Sequence, residues 1–195
     1  RDHLKSKGYS YEQMLQANLI QKSREKESYY DVFRNRVMVP ILDVSGNVIA
    51  FGGRLLEDGK QPKYLNTSDT PAFRKSKNLF ALNFAKDYCS DRMILCEGYM
   101  DVIALHGAGF SNAVATLGTA MTPDHARMMK RYTKSVVISY DADTAGQNAA
   151  DKAFRLLGEV GLEARLLKVE NAKDPDEFIK KFGKDAFRKL LDGSK

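Results

Sequence analysis

The chain has 195 residues, 43% of them hydrophobic, with Lys+Arg at 31, Asp+Glu at 25 and a formal charge of +6. That is apolar material for one large domain or two small ones, and the modest positive charge fits a polyanionic partner. Two cysteines, Cys89 and Cys96, exclude a disulfide framework and a zinc knuckle. No signal peptide or membrane-length apolar run is present, so no membrane partner is expected and a reduced, cytoplasmic setting is the default. The positive charge is uneven. Between residues 60 and 86, Lys60, Lys63, Arg74, Lys75, Lys77 and Lys86 face only Asp69.

The chain begins at Arg1 inside a helix pattern and without an initiating Met, which reads as a piece of a longer protein. Leu4, Tyr11, Met14, Leu15 and Leu19 predict loosely amphipathic helix from residue 1 to about 26, with Ser10 capping a second helix. The mixed charges of 22–27 read as a solvated face or loop. A hairpin follows, with strands over 37–44 and 48–56 around Ser45-Gly46-Asn47. Gly52-Gly53 inside its second strand predicts a bulge or a close approach of the backbone. Residues 57–60 read as a turn, 65–71 as a loop and 78–88 as a helix.

From Arg92 the rhythm changes to strand 92–96, helix 99–107, strand 112–116, a helix capped by Thr122 with Pro123 first, strand 135–140, helix 145–157 and strand 163–169. Strands alternating with single helices predict a largely parallel, Rossmann-like α/β sheet with flanking helices. A mixed α+β N-terminal lobe would precede it and a short helical tail, with patterns at 177–182 and 185–191, would follow. The expected domains are 1–91, 92–174 and 175–195.

The apolar runs 93–96 and 136–140 both end in acids: Glu97 after one, Asp141 and Asp143 after the other. Parallel sheets place their working site beyond the C-terminal strand ends, so neighbouring strands would bring three carboxylates to one edge. Such a cluster repels itself, and a hard divalent cation such as Mg²⁺ relieves that repulsion. Asp101 lies one helical turn after Glu97, and Asp174-Pro175-Asp176 follows the last strand. Blander roles stand beside these. Asp143 fits a cap of the next helix, Asp101 a first-turn acid favoured by the helix dipole, and Asp174 and Asp176 helix-start residues. His3, His106 and His125 are isolated and read as surface or satisfied histidines. Met128 and Met129 read as fillers.

At these residues the chain resembles the TOPRIM domains of bacterial primases, topoisomerases and some nucleases. The stretches Glu97-Gly98-Tyr99-Met100-Asp101-Val102, Ala115-Thr116-Leu117-Gly118-Thr119-Ala120, Asp141-Ala142-Asp143 and Lys173-Asp174-Pro175-Asp176-Glu177 are similar to the bacterial DNA primase version. So are Arg34 to Pro40, Phe51-Gly52-Gly53-Arg54 and Pro62-Lys63-Tyr64-Leu65-Asn66 upstream. The resemblance implies a DNA-dependent RNA polymerase that starts RNA primers from ribonucleoside triphosphates on single-stranded DNA. It implies catalytic Glu97, Asp141 and Asp143, and metal ligation by these together with Asp174 and Asp176. It associates Arg34, Arg36, Arg54, Lys63, Tyr64, Lys75 and Asp101 with template and nucleotide. The implied cofactor is Mg²⁺, with Mn²⁺ substituting and no zinc in this stretch. Lys63 and Lys75 suit phosphate contacts and Tyr64 suits stacking on a base or ribose; an ordinary basic surface with a core Tyr is the plain alternative. Family members also carry a zinc-binding domain and a helicase-binding domain, neither visible in this sequence, so a replicative helicase would be met through a segment not seen here. A monomer is expected. The rival readings are a TOPRIM nuclease or topoisomerase, which needs a nucleophilic Tyr that nothing singles out, and a non-catalytic single-strand binding module.

Overall fold

In a computed structural model, the structure describes every residue of 1–195 except Glu25, Lys26, Asp58, Lys60, Ala142, Glu170 and Lys195. Parts of the expected charge run at 22–27 and turn at 57–60, and the residue between the paired acids, therefore lie outside the described residues. Two short helices open the chain, α1 (Asp2–Ser6) and α2 (Tyr11–Gln16). Ser10 caps α2 reciprocally with Gln13: each side chain accepts the other's backbone N–H, at 3.2 and 2.8 Å. The expected helix stops there. β1 (Ile20–Lys22) pairs antiparallel with β2 (Tyr29–Asp31).

β3 (Arg36–Leu42), β4 (Val48–Leu55) and β5 (Tyr64–Asn66) form an antiparallel sheet in that order. The hairpin turn is held by Asp43, whose Oδ1 accepts the N–H groups of Ser45 and Asn47 at 2.9 Å. The register shift falls at Ile41/Leu42, while Gly52 and Gly53 stay in register opposite Val39 and Met38. Of the two readings of the glycine pair, close approach is the one realised. A Cβ on Gly53 would lie 2.9 Å from Arg36 Cδ and 3.0 Å from Phe33 Cδ1. Tyr64–Asn66 is a strand, where a loop was expected from Leu65 on, because it extends the β4 edge at Gly52, Gly53 and Arg54.

The residues group into two compact units, Arg1–Arg74 and Lys75–Lys195. The stretch 75–91, which the sequence rhythm grouped with the first lobe, is tied to the second unit: Phe80 bridges antiparallel to Ala115. Ala81 then takes a left-handed conformation, φ 63°. These two constraints shorten the helix expected over 78–88 to α3 (Leu82–Ala85).

The second unit is a four-stranded parallel sheet of β6 (Met93–Cys96), β7 (Ala113–Ala115), β8 (Ser135–Ser139) and β9 (Glu163–Leu166), in the order β7-β6-β8-β9. The connecting helices are α4 (Tyr99–Gly107), α5 (Pro123–Met129) and α6 (Thr144–Glu159). Every residue of β6 and β7 is buried, as are Val136 to Ser139 of β8. This is the signature of strands covered on both faces, and it is why they read as unbroken apolar runs. α7 (Pro175–Phe182) and α8 (Lys184–Asp192) close the unit. α7 packs on α4, and Phe187, 0% exposed, meets Phe110 at 5.1 Å and Phe178 at 5.9 Å between ring centroids. Arg92 fixes the end of α8 to the start of the sheet, donating to Leu191 O at 3.2 Å and to Asp192 at 3.1 Å. Among the described residues no helix is long and apolar enough to cross a membrane.

Candidate metal centre and basic surface

The strand order has its switch point between β6 and β8. One chain leaves for β7 on one side, the other for β9 on the opposite side, and a crevice opens at the C-terminal ends of the pair. Cys96 is level with Ser139, so Glu97 and Tyr140 emerge side by side and Asp141 follows at once. The backbone N–H of Asp141 donates to Glu97 Oε2 at 3.4 Å. The structure therefore brings Glu97 and the Asp141–Asp143 pair to one edge.

Asp143 is the N-cap of α6, its Oδ1 accepting the Gly146 N–H at 2.7 Å. Gly146 is required there: a Cβ at that position would overlap the Asp141 carbonyl oxygen. Asp174 likewise caps α7, its Oδ1 accepting the Glu177 N–H at 2.8 Å, and Asp176 pairs with Lys180 at 2.6 Å. Asp101 sits in the first turn of α4, beside the Gly98 backbone. The capping roles weighed for Asp143 and Asp174 are real. They also set one oxygen of each carboxylate and leave Oδ2 outside the cap bond.

The electrostatics tie these acids together. Asp101 is pushed up to about 7, first by burial, then by Asp174 and Asp141, with Asp176 adding and the Gly98 N–H opposing. Asp141 is raised by burial, then by Glu97, Asp174 and Asp143, with Lys173 opposing. Tyr140 and Cys96 beneath them are raised as well, each first by burial, so neither ionises readily. Ser139, 1% exposed, has a buried Oγ with no hydrogen-bond partner among the described residues. Six carboxylates from strand ends and helix starts thus repel one another in a partly buried place. An all-oxygen, anionic donor set of this kind fits a hard divalent cation. Among the described residues no three His, Cys, Asp or Glu side chains already stand as a closed cage, so Glu97, Asp141, Asp143, Asp174 and Asp176 would have to turn inward around an ion.

Of the expected cationic residues of the first unit, Arg36, Arg54 and Lys63 lie on or next to the β3–β4–β5 sheet. Arg54 stands opposite Tyr64 in register, its guanidinium 5.9 Å from the ring centroid, and Lys63 Nζ lies 5.8 Å from the same ring. Tyr64 is 44% exposed. Arg34 is exposed and stacks over Tyr30 at 5.1 Å. Arg36 differs from these. Its guanidinium donates to the carbonyls of Gly53 and Lys63, both at 3.2 Å, and of Pro62 at 2.8 Å, so it is engaged with backbone. Lys75 belongs to the second unit, on a 3₁₀ turn, Lys75–Lys77. Sequence reasoning missed the place of His125 at that turn. It is 0% exposed and its Nε2 lies 2.8 Å from Lys75 O. The signal was the Thr122-x-x-His125 spacing, which reads as a capping box only when His is admitted as the fourth residue.

A parallel sheet with Glu97 beyond one strand and Asp141-x-Asp143 beyond its neighbour defines the TOPRIM class. The family model described as Toprim-like matches residues 94–179, and the one described as DNA primase catalytic core, N-terminal domain, matches residues 1–86. The DNA primase of Clostridium acetobutylicum is 50% identical over 98% of this chain. A DNA primase domain from Pseudomonas aeruginosa superposes with a TM-score of 0.88 at 40% identity, covering 98% of this chain and 62% of that one. A DnaG primase catalytic domain solved bound to single-stranded DNA gives a TM-score of 0.88 at 37% identity, with coverage of 98% and 62%. The chain belongs to the bacterial DNA primase family. It spans 32% of the length of the Clostridium relative.

Proposed function

We propose that the chain is the nucleotidyl-transfer core of a primase, joining ribonucleoside triphosphates into short RNA primers on a single-stranded DNA template. The observation that carries the reading is the level pairing of Cys96 with Ser139, which puts Glu97 beside Asp141 and Asp143. The 50% identity to a DNA primase over nearly the whole chain supports it, as does the likeness to a primase domain that binds single-stranded DNA.

In this reading Glu97, Asp141, Asp143, Asp174 and Asp176 hold Mg²⁺, with Mn²⁺ able to substitute. Bound ions of this kind lower the pKa of a 3′-hydroxyl and neutralise charge on a triphosphate. Glu97, free of a cap, is a ligand or the base that accepts the hydroxyl proton. Asp143 offers Oδ2, since Oδ1 is fixed by Gly146. Arg34, Arg54, Lys63 and Lys75 contact phosphates, and Tyr64 stacks on a base or ribose. Arg36 supports Lys63 and Tyr64 through the backbone it grips. The setting is the bacterial cytoplasm.

The test is template-directed dinucleotide synthesis with single-stranded DNA, labelled ribonucleotides and Mn²⁺, using Asp143→Asn as control. Asn caps a helix as well as Asp does, so the variant should fold normally and make no product. Normal turnover in the variant removes Asp143 from the chemistry. Cleavage of supercoiled DNA without nucleotides would favour the nuclease reading. Salt-sensitive DNA binding that ignores metal removal, with no product, would favour the binding module.

A further inference from the structure

We propose that His125 is a positioning residue that holds Lys75 in place to contact the phosphate backbone of single-stranded template DNA; this rests on the primase reading above for the role of Lys75. Lys75–Lys77 is a single 3₁₀ turn. A turn that short has little stability of its own and takes its conformation from what grips it. Two of its carbonyls are gripped by the start of α5. His125 Nε2 lies 2.8 Å from Lys75 O, and Thr122 Oγ1 donates to Ser76 O at 2.8 Å. These contacts span 50 and 46 residues of sequence, so the turn is placed by tertiary contacts.

The imidazole has both nitrogens engaged. Its Nδ1 accepts the Thr122 N–H at 3.2 Å, which leaves the proton on Nε2 to be donated to Lys75 O. The ring is 0% exposed, and burial also lowers its pKa, keeping it neutral. Capping alone does not need a histidine here. In α2 the same box is closed by Gln13, whose Oε1 accepts the Ser10 N–H at 2.8 Å. What histidine adds is a second nitrogen, fixed rigidly relative to the first, that reaches a carbonyl on another segment. That carbonyl belongs to Lys75, in a turn that also carries the exposed Lys77.

The test uses the 195-residue chain and a fluorescein-labelled oligothymidylate, with affinity measured across a KCl series for the wild type, Lys75→Ala, His125→Gln and the double variant. Thermal melting is followed alongside. Lys75→Ala should weaken binding about tenfold and lower the salt slope by about 0.7, the loss of one phosphate contact on a single strand. His125→Gln keeps the box, as Gln13 does, and should weaken binding roughly threefold to tenfold with the same direction of slope change. The double variant should bind no worse than Lys75→Ala within about twofold, because both changes remove one contact.

Wild-type binding by His125→Gln, or additive losses in the double variant, would overturn the proposal and leave His125 a packing residue. Wild-type binding and slope in Lys75→Ala would overturn the phosphate role of Lys75 itself, and the proposal with it. Thr122→Ala gives an independent reading should His125→Gln fail to fold. It removes the bond to Ser76 O and should shift the slope as His125→Gln does, whereas Thr122→Ser keeps the hydroxyl and should restore it. Wild-type binding by Thr122→Ala would again overturn the proposal.

Discussion

Asp101→Asn should make the metal-free chain more stable at pH 8, although it alters the candidate metal centre. Asp101 is pushed from 3.8 to about 7, first by burial and then by Asp174 and Asp141. Its folded form holds the proton more tightly than its unfolded form. The stability this provides is fully present below about pH 4 and is lost as pH rises through about 7. The difference converts to at most about 4 kcal/mol at pH 8. Asp141, raised by burial and then by Glu97, acts in the same direction. His125 acts oppositely: burial lowers its pKa, so its contribution is lost as pH falls. Asn cannot ionise, so the variant escapes the loss attached to Asp101. In EDTA at pH 8 its Tm should exceed the wild type's by up to roughly 10 °C for a chain of this size. The gap should shrink to under half by pH 5, where the folded carboxyl is protonated, and close only below about pH 4, where the unfolded one is protonated too. Millimolar Mn²⁺ should also close it by stabilising the wild type, since an ion relieves the same repulsion. Equal Tm values at pH 8 in EDTA, or a gap unchanged at pH 5, would refute the claim that Asp101 sits in a repelling, partly buried cluster.

Gly146→Ala should destabilise the chain by roughly 1–3 kcal/mol and cut dinucleotide synthesis by about a hundredfold, because its Cβ displaces the Asp141 carbonyl; melting and the primer assay check the two effects separately. Arg36→Gln should lose about 2 kcal/mol in urea unfolding, two of its three carbonyl bonds going unmade. Unchanged stability would show that the guanidinium does not grip these carbonyls in solution. Phe187→Ala should cost about 3–5 kcal/mol by emptying the space between Phe110 and Phe178. Apparent Mn²⁺ affinity, followed by titration, should fall with it, since α7 carries Asp174 and Asp176.

The parallel sheet was readable because burial on both faces writes itself as unbroken apolar runs, and Thr122-Pro123 marked a helix start without ambiguity. The acids could be placed at strand ends for the same reason. Three-residue strands carry too little periodicity to be seen: Ile20–Lys22 merged with the helix before it, and Leu65 and Asn66 of β5 passed for loop. Each exists because of a partner elsewhere in the chain. The helix expected over 78–88 was shortened by Phe80 bridging to Ala115, a contact that local propensity cannot express. The same limit hid the grip of Arg36 on Pro62 and Lys63 and that of His125 on Lys75. Both are contacts between a side chain and a distant carbonyl, and the residue types alone suggest a phosphate ligand and a core histidine.

Asp143 and Asp174 each have one oxygen fastened to the start of a helix. A free carboxylate surrenders its rotational freedom when an ion arrives; these two surrendered most of theirs when α6 and α7 formed. In the metal role proposed for them, the ordering cost of ion capture would thereby be moved into folding. Fraying at the front of either helix would then weaken capture without touching a ligand, so a substitution far along α6 or α7 can act as a metal-affinity mutation.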